Sequence, residues 1–85
     1  MYLFTVTETY MITRRGLVLW PGLEDKHVLV GAKIMLIRPD KTIIETKVKV
    51  ITFQWPRDIL VESHLTKKDV PIGTEVWLNI PDSHG

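Results

Sequence analysis

Hydrophobic and polar residues alternate along several stretches of this chain. In Tyr2–Ile12 the even positions are mostly apolar and the odd positions include Thr5, Thr7 and Thr9. In Thr42–Phe53 the apolar residues Ile44, Val48 and Val50 alternate with charged residues. A period of two is typical of a strand that buries one face. Both segments are therefore predicted to be strands.

The even face of the first segment predicts which of its side chains point into the core. Its apolar members are Tyr2, Phe4, Val6, Tyr10 and Ile12. Glu8 interrupts them, and a buried acid without a partner is rare. A bulge or a strand end is therefore expected to turn Glu8 towards solvent.

Turn residues divide the remaining chain into further strands. Gly16 permits a tight hairpin turn after Arg14 and Arg15, and Leu17–Trp20 is predicted to return beside the first strand. The other predicted strands are a short one at His27–Val30, then Lys33–Arg38, Ile59–Glu62, and a last one after Gly73 with Val76, Leu78 and Ile80 facing inward. At most one short helical turn is predicted, in Leu65–Val70.

The alternation in Thr42–Phe53 loses its phase near Val50. Ile51 and Phe53 are apolar although they lie on the face that began as the charged one. A bulge, or a strand that bends around the corner of a barrel, produces such a shift. Six or seven strands in 85 residues, with closure removing the exposed sheet edges, predict an all-β domain that forms a small closed barrel.

The order of these motifs resembles the second domain of elongation factor Tu and the related barrels of translational GTPases. The matching segments are FTVTETYMITRRGLVLWPG, VLVGAKIMLIRPDKTIIETKVKVITF and KKDVPIGTEVWL, and they cover nearly the whole chain. Arg15 and Gly16 match the Arg-Gly of the family's first turn. Asp69, Val70 and Gly73 match its late turn.

This resemblance implies a small closed six-stranded Greek-key barrel of the translation-factor domain-two type. Residues 1–80 are predicted to form this single domain and residues 81–85 a loose tail. GTP hydrolysis is not implied, because it belongs to a separate domain whose Gly-x-x-x-x-Gly-Lys-Ser/Thr loop has no counterpart here. In the family the barrel helps to hold the aminoacylated end of tRNA, and Thr52 stands near the position of a Glu in that pocket.

Composition narrows the range of partners. Eleven basic and ten acidic residues give a net charge of +1, so no strong electric field attracts DNA or a membrane surface. The absence of cysteine excludes disulfides and fits a reducing cytoplasm. No apolar run approaches the roughly 20 residues of a membrane span, and no leader is recognisable at the N-terminus. We expect a cytoplasmic protein without a cofactor.

No pattern in the sequence predicts catalysis or a metal site. The histidines, His27, His64 and His84, are far apart and have no ligand framework beside them. The ten acids are scattered among the eleven bases, which is typical of a solvated exterior. A filled barrel of this size also leaves little volume for the usual substrate cleft of about 300 Å³. We therefore predict that the protein is not an enzyme.

The tryptophans and the basic residues near them are the best candidates for a binding surface. Each Trp lies by a turn or on a strand whose other face is assigned to the core, so at least one is expected to be partly exposed beside a cation. Such a patch stacks nucleic-acid bases or anchors a protein partner. The predicted partner-binding residues are Arg14, Arg15, Trp20, Trp55, Arg57, Lys67, Lys68 and Trp77.

A structural role for the tryptophans is the alternative. In that interpretation Trp20 and Trp55 cap the open ends of the barrel and Trp77 packs under the loop at residues 23–30. The function predicted from the sequence is a non-catalytic binding module for a protein or RNA partner, with strong salt dependence if the partner is RNA. The alternative function is a self-associating structural domain, a homodimer that does not bind nucleic acid.

Overall fold

The computed structural model describes residues 1–62 and 64–79, and within them the chain forms eight strands and no helix. The strands are β1 (Tyr2–Thr5), β2 (Glu8–Ile12), β3 (Gly16–Trp20), β4 (Lys33–Ile37), β5 (Ile43–Lys47), β6 (Val50–Ile51), β7 (Ile59–Val61) and β8 (Glu75–Leu78). The prediction of an all-β chain is confirmed. The predicted tail at residues 81–85 and the predicted inward position of Ile80 lie outside the described residues.

The strands form two four-stranded antiparallel sheets. The first sheet has the order β1-β8-β4-β5 and the second sheet has the order β2-β3-β7-β6. Hairpins join β2 to β3 and β4 to β5. Two stretches of chain contribute to both sheets, because β1 runs directly into β2 and β5 runs directly into β6.

The first change of sheet lies between Val6 and Thr7. Val6 N donates to Thr74 O (2.8 Å), next to β8, and Thr7 N donates to Trp20 O (2.9 Å), in β3. The backbone groups of successive residues in an extended chain point to opposite sides. The stretch formed by β1 and β2 is therefore hydrogen-bonded to the first sheet on one side and to the second sheet on the other.

The second change of sheet repeats this arrangement at Val48 and Lys49. Val48 N donates to Ala32 O (2.9 Å), just before β4, and Lys49 N donates to Leu60 O (2.8 Å), in β7. The two sheets thus share both of these bent stretches.

One hydrophobic core lies between the two sheets and draws residues from both. Its members with no exposed surface in the first sheet are Leu3, Ile34, Leu36 and Val76, and those in the second sheet are Leu17, Leu19, Ile59 and Val61. Ile34 and Leu36 share one face of β4, as predicted.

The predicted inward face of Tyr2–Ile12 is correct for only part of the segment. Phe4 and Val6 are buried as predicted, whereas the other three apolar even positions remain more than 40% exposed. Those three are Tyr2, Tyr10 and Ile12. Tyr10 and Ile12 are exposed because the chain changes sheet before β2, and β2 is an edge strand that exposes both of its faces. Tyr2 lies in β1, where the pairing with β8 shifts register between Tyr2 and Phe4, and Leu3 is buried there instead. Glu8 begins β2 and faces solvent, as predicted.

Two predicted strands need correction. Residues 27–30 form no strand, and only Val28 of the apolar residues there is buried. The segment Thr42–Phe53 is two strands rather than one, since it changes sheet next to the predicted loss of phase near Val50. This division and the one between β1 and β2 raise the number of strands above the predicted six or seven. The segment Leu65–Val70 makes a hydrogen-bonded turn without becoming a helix.

Gly16 accounts for the close packing at the start of β3. Its φ is +146°, and a Cβ at this position would overlap the carbonyl oxygen of Val61. Gly16 lies opposite Ile12 in β2 while its other side faces β7. Only a residue without a side chain allows both neighbours to approach so closely.

We expect Gly16→Ala to lower the free energy of unfolding by about 3 kcal/mol or more, because overpacking adds to the cost of a positive φ. Gly31→Ala is the matched control, since Gly31 also has a positive φ (+92°) but no described atom lies within 4 Å of a Cβ there. Its expected cost is about 1–2 kcal/mol. Urea unfolding followed by circular dichroism measures both, and equal losses would contradict the steric explanation.

Candidate functional site

Two loops at one end of the second sheet are held together by their backbones. One is the loop at residues 21–32, after β3, and the other is the turn at residues 52–58, after β6. Leu23 N donates to Arg57 O (3.1 Å) and Glu24 N donates to Pro56 O (2.8 Å). Gly22 permits this approach, because a Cβ there would overlap the backbone of Arg57.

The side chain of Arg57 fastens the same pair of loops. Its Nη1 donates to Glu24 O and to Lys26 O, each at 3.0 Å. Hydrogen bonds from a charged donor are stronger than neutral ones. Nη1 is therefore engaged by the neighbouring loop and does not face a partner. Arg57 stabilises the contact between the two loops.

The turn after β6 is also held across its own base. Thr52 N donates to Asp58 O (3.1 Å), and Thr52 Oγ1 donates to Asp58 Oδ1 (2.6 Å). Arg57 N closes the turn on Gln54 O (2.7 Å). These bonds fix the backbone that carries Phe53 and Trp55.

An apolar groove of about 330 Å³ opens between the two loops. Its lining residues are Val28, Leu29, Val30, Ile51, Thr52, Phe53 and Arg57. Phe53 is fully exposed, and the exposed fractions of Leu29, Val30 and Trp55 are 71%, 62% and 67%. We give the name Phe53 surface to the exposed apolar side chains of this groove, Leu29, Val30 and Phe53, together with Trp55, which lies two residues further along the same turn. Clustered exposed apolar side chains on a fixed backbone are characteristic of a binding site.

A second groove, of about 450 Å³, lies between β2 and the turn that precedes β8. Its lining residues are Glu8, Thr9, Tyr10, Lys67, Val70, Pro71 and Ile72. The ammonium of Lys67 lies 6.0 Å from the centre of the Tyr10 ring, at the outer limit of a cation–π contact. The Tyr10 hydroxyl donates to Glu8 Oε2. This hydrogen bond raises the pKa of Tyr10, because ionisation of the phenol would remove the donor.

The structure does not bring the eight predicted partner-binding residues together. They lie in five places: Arg14 and Arg15 on the β2–β3 turn, Trp20 at the end of β3, Trp55 and Arg57 on the turn after β6, Lys67 and Lys68 on the turn before β8, and Trp77 in β8. Of these residues, Trp55 belongs to the Phe53 surface, Arg57 supports it and Lys67 lines the second groove.

Trp77 packs on the outer face of the first sheet. Its ring meets Tyr2 edge to face, with 5.6 Å between the ring centres, and its Nε1 donates to Glu75 Oε1 (2.9 Å). Its neighbour Val76 faces the core, so Trp77 faces outward. Trp55, with 67% of its surface exposed, is too open to cap the end of a barrel.

Three residues of the Phe53 surface, Leu29, Val30 and Phe53, are not among the predicted partner-binding residues. The exposure of Phe53 was predictable from the sequence, because Phe53 is apolar on the charged face of its segment and is followed at once by turn residues. The exposure of Leu29 and Val30 was not predictable in this way, since a short apolar run is equally typical of a buried strand. Their exposure depends on the loop pairing described above.

Comparison of the chain with protein-family models, with curated proteins and with solved structures gave no match. Among the residues that the structure describes, no three His, Asp or Glu side chains are grouped closely enough to hold a metal ion. In the same residues, no helix has the length and apolar character needed to cross a membrane.

We expect Arg57→Met to lower the free energy of unfolding by about 1–3 kcal/mol, because two loop carbonyls lose a charged donor. Arg15→Met is the control, since Arg15 is exposed on the β2–β3 turn, and its effect should stay within about 0.5 kcal/mol. Urea unfolding compares the two variants. Equal effects would show that the guanidinium of Arg57 does not hold the loops.

Proposed function

We propose that this chain is a non-catalytic binding module built on a closed six-stranded Greek-key barrel of the translation-factor type. The two changes of sheet support closure. If β1 with β2, and β5 with β6, are each counted as one bent strand, six strands result. The two sheet orders then support a ring in the order β1/β2, β3, β7, β6/β5, β4, β8 and back to β1/β2.

The connection from β3 to β4 supports the Greek-key part of this proposal. These strands are consecutive in the chain but belong to different sheets and are not neighbours in the ring. In the ring order, the connection from β3 to β4 skips β7 and β6/β5. A connection that skips strands is typical of Greek-key folds. It also places the loop at residues 21–32 across one end of the structure, where it meets the turn after β6.

A closed ring predicts slow hydrogen exchange at both changes of sheet. The amides of Val6 and Thr7, and those of Val48 and Lys49, should all exchange as slowly as those of central strands, because closure holds the two adjacent amides of each stretch to different sheets at once. The amide of Phe53 is the control, since the described structure gives it no backbone acceptor. Exchange measured by nuclear magnetic resonance decides this, and fast exchange of Lys49 would contradict closure.

The observation that carries the binding function is the full exposure of Phe53 beside Leu29, Val30 and Trp55. Their side chains are apolar, and the two loops that carry them are held together by the contacts of Arg57 with Glu24 and Lys26. An aromatic anchor with aliphatic neighbours suits the side chains of a protein partner, because both sides lose apolar surface to water. The ordering cost is small, since the loops are already paired.

The positions of three predicted partner-binding cations, Arg14, Arg57 and Lys67, favour a protein over RNA at this surface. RNA binding needs cations that neutralise phosphates beside the stacking rings. Arg57 directs Nη1 to two loop carbonyls, while Arg14 lies at the opposite end of β3 and Lys67 beside β2. The proposed partner is therefore a protein that inserts apolar side chains between the two loops.

Phe53→Ser should abolish most partner binding without destabilising the fold, because the ring makes no buried contacts in the free protein. A loss of about 2 kcal/mol, or roughly thirtyfold in affinity, is typical of such an anchor. The measurement is quantitative capture of protein and RNA from cells by the wild type and by the variant.

Ile43→Ser is the matched control, since Ile43 is 56% exposed but lies in β5, away from the Phe53 surface. It should leave capture unchanged. If the wild type captured RNA in a salt-sensitive manner and Phe53→Ser still bound the same proteins, the proposed site and the proposed class of partner would both be wrong.

A further inference from the structure

The apolar groove between the two loops is lined by a single charged side chain. Its polar lining residues are Thr52 and Arg57, and the others are apolar. The hydroxyl of Thr52 already donates to Asp58 Oδ1 (2.6 Å) within the turn. Arg57 is therefore the residue that determines which polar atoms a partner must bring into the groove.

The guanidinium of Arg57 uses only part of its donors within the described chain. Its side-chain hydrogen bonds to described residues all come from Nη1, which donates to Glu24 O and Lys26 O at 3.0 Å each. The N–H groups of Nε and Nη2 have no acceptor in that part of the chain. These two nitrogens form one edge of the planar group, and such an edge matches the two oxygens of a carboxylate.

The backbone holds this edge in a fixed position. Arg57 has a φ of +66°, a left-handed conformation that Gly or Asn adopts more easily than Arg. The turn requires it, because Arg57 N closes the turn on Gln54 O (2.7 Å). The side chain is thus fixed at its base by the turn and at Nη1 by the neighbouring loop. Binding at the remaining edge needs little further ordering.

A partner that fills the groove takes this partly buried cation out of water. If the partner were wholly apolar, the N–H groups of Nε and Nη2 would be covered without acceptors, which costs more than the loss of ordinary hydrogen bonds. A neutral carbonyl would satisfy the N–H groups without balancing the charge, and both acceptors of Nη1 are already neutral. A carboxylate does both.

We infer that the protein partner carries an acidic side chain, Asp or Glu, beside the apolar side chains that it inserts, and that this carboxylate binds the Nε and Nη2 edge of Arg57. The inference rests on the proposed function, since it specifies the chemistry of the same partner. Its main effect is on specificity. An apolar segment without the acid is rejected, because it would leave the cation buried and unpaired.

The surroundings of Arg57 favour an acidic side chain over other anions. The terminal carboxylate of a chain is usually captured by several converging backbone N–H groups, whereas the backbone groups that meet this guanidinium are the carbonyls of Glu24 and Lys26. A row of phosphates would meet the acids Glu24 and Asp25 in the same loop. A single carboxylate within a protein segment avoids both difficulties.

A phage-displayed library of random short peptides tests the inference. The library is selected against the wild type and against Phe53→Ser. The wild type should enrich peptides with Asp or Glu beside aromatic or aliphatic residues, and Phe53→Ser should not. The most enriched peptide is then synthesised with an amidated C-terminus. Replacing its acid by the matching amide, Asp by Asn or Glu by Gln, should weaken binding to the wild type about tenfold in titration calorimetry.

Arg57→Met shows whether Arg57 receives the carboxylate. With this variant the change from acid to amide in the peptide should alter affinity by less than about twofold, because the pair is already broken. Arg15→Met is the control and should retain the tenfold loss, since Arg15 is exposed on the β2–β3 turn. In the wild type, the Arg57 Nε–H resonance should shift on addition of the acidic peptide and not of its amide. That measurement requires no variant to fold.

The outcomes separate this inference from the proposed function. If the enriched peptides were apolar without an acid but still required Phe53, the inference would be wrong and the proposed function would stand. It would also be wrong if the acid-to-amide change cost as much with Arg57→Met as with the wild type, or if amidation of the C-terminus abolished binding. If no enriched peptide required Phe53, the proposed function would fail and the inference with it.

Discussion

The constraint on which the structure depends is that two bent stretches of chain must satisfy backbone hydrogen bonds on opposite sides. At Val6 and Thr7, and again at Val48 and Lys49, adjacent amides donate to different sheets. Buried backbone groups without partners are costly, so neither stretch can leave one sheet without weakening the other. The core between the sheets and the meeting of the loops at residues 21–32 and 52–58 both follow from this arrangement.

Local patterns in the sequence predicted most of the strands, but they did not predict where the chain changes from one sheet to the other. Gly16 and the alternation on either side of it predicted the β2–β3 hairpin correctly. The alternation in Tyr2–Ile12 did not reveal that Tyr10 and Ile12 are exposed, because a period of two defines the two faces of a strand without showing whether either is covered. Coverage depends on which strand lies beside β2, and that is a property of the whole topology.

The binding surface was predictable only in part for the same reason. Trp55 was selected because it lies at a turn, and Arg57 because it is a cation beside that Trp. The structure gives Arg57 the role of holding Glu24 and Lys26 in the neighbouring loop, a contact between residues more than thirty positions apart. Phe53 gains its importance from that contact, because an exposed ring on an unsupported turn would lose more conformational entropy on binding.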